Sequence, residues 1–188
     1  MEIRRDQAFY TEMLEPIKAS RIRLAQVDDM LTDDELREVQ SVNGALNWLA
    51  VSTRPDLSVA CSEIAGTRTV AAIKRVNKAV AKAKHDKQLG LVHRKLDGKL
   101  ELKAYTDASW ANMPGLRSQQ GCMVAITGPT TKRNDEDSSE GNLLHWKSSR
   151  IKRAVRSTFA AEALSALDGA DTAVYMKEFL LAWKGPPA

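Results

Sequence analysis

The sequence predicts an α+β protein with a helical first half, followed by a three-stranded antiparallel sheet and one packed helix. Two observations support this prediction. Apolar residues recur at helical spacing until about residue 88, and beyond it they alternate with polar residues, as in strands. Helical spacing returns near residue 157. We therefore expect an N-terminal extension at 1–31, a helical region at 32–88 and a sheet-containing region at 89–188.

The composition indicates a folded chain with a small positive charge. With 188 residues, 43% of them apolar, the chain is long enough to bury a core. A net charge of +4 means that affinity for nucleic acid must depend on where Lys and Arg cluster. Cys61 and Cys122 lack zinc-site spacing, so we expect buried thiols in a reducing compartment. Without a signal-peptide pattern or a membrane-length apolar run, an intracellular location, cytoplasmic or nuclear, is expected.

Start signals define the helices of the first half. The extension is expected to be one helical or extended piece that ends near Asp28. Thr32 and Glu35 have the spacing of a capping box, which predicts a helix over residues 33–51. Pro55 suits the first position of the next helix, which runs through Ile64.

A third helix is predicted over residues 68–88, and it is strongly basic. It carries seven Lys or Arg against one acid. Spacing places several of these cations on one face, which suits contacts with phosphate groups, although a solvated surface is the commoner meaning of such a face. The candidate nucleic-acid-binding residues are Arg68, Lys74, Arg75, Lys78 and Lys82.

The second half shows strand alternation broken by turn residues. Residues 89–95 and 99–106 flank Asp97 and Gly98, which predicts a β-hairpin. Further strands are expected at 121–127 and 143–147, with a long polar loop over 128–142. Ser157 or Thr158 caps a final helix that runs to about Trp183, because Gly-Pro-Pro at 185–187 stops it.

Several motifs in this order resemble the RNase H domain of Ty1/copia-type retrotransposon polyproteins. They are LKAYTDASWA at 102–111, RSQQG at 117–121, LHWKSS at 144–149 and STFAAEAL at 157–164. Upstream, LTDDE at 31–35, GALNWLA at 44–50 and TRPDLSVA at 53–60 resemble the segment that joins reverse transcriptase to RNase H in those polyproteins. The resemblance implies a connection region followed by a truncated RNase H-like fold.

The resemblance also implies a metal site. Asp107 matches the first catalytic Asp of the family and Glu162 matches its catalytic Glu, and together they would hold Mg²⁺ or Mn²⁺ for cleavage of RNA–DNA hybrids. Without the resemblance, each residue has a simpler interpretation. Asp107 is then a turn residue that follows a strand, and Glu162 complements the dipole of its helix. We expect His145 and Trp146 to pack in a strand, and Asp168 and Asp171 to be surface acids.

The chain departs from the family pattern in two places. Ala160 replaces a second Glu, and the later strand and helices with the remaining catalytic carboxylates do not follow Glu162. We therefore expect an incomplete site that is inactive alone. The strand between Leu100 and Thr106 would expose an unpaired edge, to be covered by another protein chain, a second copy or residues 1–31. The open alternatives are a structural or interaction subunit, a nuclease completed by another chain, and non-catalytic nucleic-acid binding.

Overall fold

The computed structural model describes residues 1–113, 115–129, 131–133, 136–138 and 140–184. It confirms the α+β class and contains a three-stranded antiparallel sheet. The chain divides into two compact units. We call Arg5–Leu91 the helical unit, and Met1–Arg4 with Val92–Ala188 the sheet unit.

Five α-helices form the helical unit. β1 (Glu2–Asp6) precedes them, β2 (Gly90–Arg94) follows them, and the two strands pair, so the division between the units falls within both. The helices are α1 (Ala8–Glu12), α2 (Arg21–Ala25), α3 (Asp33–Ser52), α4 (Ser58–Ala65) and α5 (Ala71–His85). The three predicted helices of this region are confirmed, and a short 3-10 turn at Pro55–Leu57 leads into α4.

The capping box at the start of α3 is confirmed. The Thr32 Oγ1 accepts a hydrogen bond from the Glu35 amide at 3.3 Å, and the Thr32 amide donates to Glu35 Oε2 at 2.8 Å. Arg23 adds a bidentate ion pair, with its Nε and Nη2 each 2.8 Å from a carboxylate oxygen of Glu35. These bonds satisfy amides that a helix start leaves free and fix α3 relative to the segment before it.

The prediction of one continuous piece for residues 1–31 is wrong. This segment contains β1, α1 and α2, and it contributes Leu14 and Ile17 to the buried core of the helical unit. Asn77 of α5 anchors it, because its side chain accepts from the Ile17 amide at 2.8 Å and donates to the Ile17 carbonyl at 2.9 Å. Long-range packing thus decides the structure of a segment with weak local signals.

Arg54 is the largest fully buried side chain of the helical unit. Its guanidinium forms a fork with the Asp56 carboxylate, at 2.9 Å from Nε and 3.0 Å from Nη2. Its Nη1 donates to the carbonyl oxygens of Ala83 and Asp86, at 3.3 and 3.1 Å, at the end of α5. The planar fork therefore satisfies four acceptors at once, which a lysine ammonium could not do in this geometry.

The sheet unit contains the three-stranded sheet, a short ribbon and one long helix. Its elements are β3 (Glu101–Met113), β4 (Arg117–Thr127), β5 (Thr131–Arg133), β6 (Glu136–Ser138), β7 (Gly141–Arg150) and α6 (Thr158–Lys184). The sheet has the order β3-β4-β7, and β5 pairs with β6. The Ser157 Oγ accepts from the Ala160 amide at 3.1 Å and caps α6, as predicted. The predicted stop signal at 185–187 lies outside the described residues.

Three predictions about the strands are wrong. Residues 89–95 and 99–106 do not form a hairpin, because β2 pairs with β1 and β3 pairs with β4. Asp107 does not end a strand, since β3 continues to Met113 through a register shift after Ser109. Part of the predicted loop at 128–142 forms β5 and β6, and positions 130, 134, 135 and 139 lie outside the described residues. Strand partners are chosen over long distances, which local turn residues do not specify.

The helix α6 packs on one face of the three-stranded sheet. Small residues of α6 allow the close approach: a Cβ atom added at Gly169 would lie only 2.1 Å from Thr106 Cγ2 and 3.6 Å from Cys122 Sγ. Ala161 is fully buried in a cluster with Ala108 and Ile151. These contacts identify the residues of β3 and β4 that face the helix.

Candidate functional site

Asp107 lies in mid-strand, and its side chain points away from α6. Its neighbours in β3, Thr106 and Ala108, both face the helix. Because successive side chains of a strand point to opposite faces, Asp107 belongs to the other face. Its partner in β4, Gly121, agrees with this placement: a Cβ added there would meet no atom of α6 within 4 Å.

Glu162 lies in the first turns of α6, on the helix side of the sheet. It follows Ala161, whose side chain packs with Ala108, and it is half-buried. The structure therefore brings Asp107 and Glu162 to neighbouring elements but on opposite faces of the sheet. The helix and the sheet are linked through the backbone of Asp107 instead, because Ser165 Oγ donates to its carbonyl oxygen at 2.8 Å and lies 3.3 Å from that of Gly121.

The carboxylates of Asp107 and Glu162 do not form a metal cage. Mg²⁺ and Mn²⁺ need several converging oxygen ligands, and two carboxylates on opposite faces do not converge. Within the described part of the chain, no three side chains among His, Cys, Asp and Glu are grouped so that they could hold a metal ion. Metal ligation by Asp107 and Glu162 remains a prediction from the resemblance, and the arrangement of these two residues does not fit the ion.

Asp168 is held more firmly than a surface acid. Its carboxylate accepts from Lys147 Nζ at 2.9 and 3.0 Å and from Gln120 Nε2 at 3.3 Å. These contacts join α6 to β4 and β7 on the helix side of the sheet. The contact between Asp168 and Lys147 could not be predicted from the sequence, because neither the helix spacing nor the strand spacing indicates which acid meets Lys147.

Of the five candidate nucleic-acid-binding residues, two are bound to other side chains of the helical unit. Lys74 and Lys78 are exposed one turn apart on α5, and neither makes an ion pair within the described residues. Arg68 is also exposed, just before α5. Lys82 is paired with Asp56, and Arg75 donates to Thr67 Oγ1 at 2.8 Å. The predicted basic face is therefore reduced to Arg68, Lys74 and Lys78.

The outer edge of β3 carries no strand within the described residues. β3 pairs with β4 in continuous register from Glu101 to Ser109 and occupies one end of the sheet order. The side chains of residues 104–107 in this strand are exposed. The opposite edge of the sheet is β7, which carries Lys147 and Arg150.

A row of large apolar side chains crosses the sheet next to this edge. Tyr105 pairs with Met123, and Met123 pairs with Trp146, so the three lie side by side on the face away from α6. Tyr105 is 49% exposed and Met123 is 41% exposed. The predicted packing role of Trp146 in a strand agrees with its position in β7.

Both cysteines are buried and free, as predicted. Burial raises the pKa of the Cys61 thiol to about 11. Burial, followed by the nearby negative charge of Asp168, raises the pKa of the Cys122 thiol. A thiol needs its thiolate form to act as a nucleophile, so neither cysteine is suited to catalysis.

Comparison with known protein families, curated proteins and solved structures finds no match to this chain. Among the described residues, no helix has the length and apolar character that crossing a membrane requires.

Proposed function

We propose that this chain is a non-catalytic interaction module of retrotransposon RNase H-like ancestry, which binds another protein chain along the outer edge of β3. The observation that carries the proposal is the edge beside Ala104 to Asp107, which no strand of the described residues pairs with and where side chains are exposed. An edge of this kind presents backbone donors and acceptors to an incoming strand, and strand addition is a common mode of peptide recognition.

Two further features support this edge as the binding site. The segment 1–31 was one candidate to cover it, but β1 pairs with β2 and the rest contributes to the helical core. The apolar row of Tyr105, Met123 and Trp146 also ends at β3, so a strand added there would extend the row as well as the backbone ladder. Apolar contacts and backbone pairing would then act together.

Two variants test the edge. Lysine in an edge strand opposes strand pairing, so Tyr105→Lys is expected to weaken binding of the partner that copurifies with the tagged chain. Met123→Lys is the matched control, because it changes the same row one strand further in and leaves the edge unchanged. Hydrogen exchange of the purified complex should show added protection at residues 101–109. Equal loss of binding in both variants, without protection at β3, would assign the contact to the sheet face instead.

The resemblance also implies an alternative function, that of a metal-dependent nuclease that acts on RNA–DNA hybrids with carboxylates supplied by another chain. The positions of Asp107 and Glu162 on opposite faces of the sheet favour the non-catalytic function. A labelled RNA–DNA hybrid incubated with Mg²⁺ or Mn²⁺ separates the two functions, with Asp107→Asn as the control. We expect no cleavage that depends on Asp107, and such cleavage would refute the non-catalytic function.

Nucleic-acid binding without cleavage is a second candidate, favoured by the exposed pair Lys74 and Lys78. Their charges are not neutralised by acids of the described chain, and they are spaced to meet phosphates. The test is hybrid binding as a function of salt, with Lys74→Glu and Lys78→Glu combined. A steep salt dependence that flattens in this variant would support binding by α5.

A further inference from the structure

A second strongly basic stretch of the chain, besides residues 68–88, covers β7 and the segment that connects it to α6. Residues 141–161 contain five Lys or Arg and no Asp or Glu, an excess of charge larger than the +4 of the whole chain. The five are Lys147, Arg150, Lys152, Arg153 and Arg156. A run that contains no acid of its own favours a local positive potential that the total charge conceals.

The structure gathers four of these cations around one groove. The groove has a volume of about 460 Å³ and lies on the helix side of the sheet unit, between α6 and the segment that contains the end of β7. Lys147, Arg150, Lys152 and Arg153 line one side, while Leu164 and Leu167 of α6 supply an apolar wall. Leu167 is well exposed, so the wall is open to a ligand.

The charges in the groove are only partly neutralised. Lys147 is paired with Asp168 at 2.9 Å, which accounts for one acid of the groove. Lys152 and Arg153 are exposed, and neither makes an ion pair with any described residue. Asp171 is the other acid that lines the groove. The free charge beside the apolar wall is therefore positive.

We propose that this groove binds an acidic amphipathic peptide segment of a partner protein. Carboxylates of the peptide would meet Lys152 and Arg153, and its apolar side chains would cover Leu164 and Leu167. A nucleic-acid strand shares the charge but not the second feature. Among the described residues no aromatic side chain lines the groove to stack on a base, and phosphates would leave the leucine wall uncovered. The site lies on α6 and β7, so it is independent of the proposed contact at the β3 edge.

Fluorescence anisotropy with the full chain tests this proposal. The probe is a short labelled peptide of repeated Asp-Leu-Glu triplets, and we expect saturable binding. Reversing Lys152 and Arg153 to Glu together should weaken binding about tenfold or more, because like charges then face each other. Leu167→Ser should also weaken it, and circular dichroism checks that each variant is folded. The matched control reverses Lys18 and Arg21, exposed cations of the helical unit that do not line the groove, and should leave binding unchanged.

Two competing probes decide the class of ligand. An Asp-Ser-Glu peptide keeps the charge and removes the apolar side chains, and a single-stranded oligonucleotide supplies phosphates. Each probe is scored by its displacement of the labelled Asp-Leu-Glu peptide, so that oligonucleotide binding at α5 is not counted. Weaker displacement by both probes than by the unlabelled Asp-Leu-Glu peptide supports the proposal. Equal or stronger displacement by either probe overturns it in favour of a general polyanion surface. The proposal also fails if the leucine-containing peptide does not bind, or if the Lys18 and Arg21 reversal weakens binding as much as the groove reversal.

Discussion

Ser165 of α6 donates a hydrogen bond to the backbone carbonyl of Asp107, with 2.8 Å between the two oxygen atoms. The residue that the family resemblance marks as catalytic is thus joined to the helix through its main chain, while its carboxylate faces the other side of the sheet. The buried Ser165 hydroxyl fixes the position of α6 on β3 and β4. In this chain, the position of Asp107 contributes to packing whether or not a metal is ever bound.

Ser165→Ala is expected to lower the free energy of unfolding of the sheet unit by about 0.5–1.5 kcal/mol, the usual net value of a buried hydrogen bond. Ser41→Ala is the control, since Ser41 is exposed on α3 of the helical unit. Loss of an exposed serine hydroxyl costs little. Hydrogen exchange at β3 and β4 measures both variants, and equal protection in the two would contradict the role of Ser165.

Two glycines inside helices should respond in opposite ways to alanine. Gly44 in α3 has no atom within 4 Å of an added Cβ, so Gly44→Ala should stabilise the chain by about 0.4–1 kcal/mol through reduced chain entropy. Gly169 in α6 would place that Cβ 2.1 Å from Thr106 Cγ2. Because β-branched side chains are stiff, Gly169→Ala should destabilise the sheet unit. Urea denaturation compares the two, and stabilisation by Gly169→Ala would show that α6 is not seated as described.

Arg54→Lys is expected to destabilise the helical unit by about 2–4 kcal/mol. Arg54 is only 2% exposed, and a lysine cannot reach the Asp56 fork together with the carbonyls of Ala83 and Asp86. The control is Arg37→Lys, because Arg37 is 77% exposed in its pair with Asp34 and exposed pairs contribute little. Similar losses from both substitutions, measured by thermal unfolding, would contradict the buried role of Arg54.

Glu35 predicts a dependence of stability on acid. The hydrogen bonds from the Arg23 side chain and then from the Thr32 backbone lower the pKa of Glu35 from 4.5 to about 2. A lowered pKa in the folded state means that the stabilisation is present above pH 4.5 and disappears as the pH falls through about 2. Both side chains of the pair are about a quarter exposed, so we expect only about 1 kcal/mol.

Glu35→Gln keeps the size of the side chain and an oxygen that can accept from the Thr32 amide, but it removes the negative charge. The difference in unfolding free energy between the two proteins, measured by denaturation at a series of pH values, should therefore be largest at neutral pH and vanish below about pH 2. A difference that does not change with pH would mean that the loss comes from the cap geometry and not from the ion pair.

Local signals predicted the helices well. The Thr32 and Glu35 capping box, Pro55 before α4 and the Ser157 cap of α6 each act within a few residues, so the sequence alone was enough to locate them. Strand pairing is different, because β1 and β2 are separated by the whole helical unit. A turn dipeptide such as Asp97-Gly98 indicates a bend but not which strands pair across it.

The candidate site depended on a still finer detail. Sequence motifs located Asp107 on a strand and Glu162 on the following helix, and both placements are observed. Whether the two carboxylates share a face depends on the strand register, and a shift by one residue moves a side chain to the opposite face. The basic groove was also missed, because its cations and its leucine wall come together only when α6 lies against the sheet.

The two buried thiols report separately on the opening of each half of the chain. Cys61 lies in the helical core and Cys122 lies beneath α6, and the chain has no other cysteine. An alkylating reagent can reach either sulfur only when the surrounding structure opens transiently. The rate of modification at each cysteine therefore measures how often that opening occurs. Mass spectrometry of the two peptides would then show whether the helices and the sheet come apart together or separately.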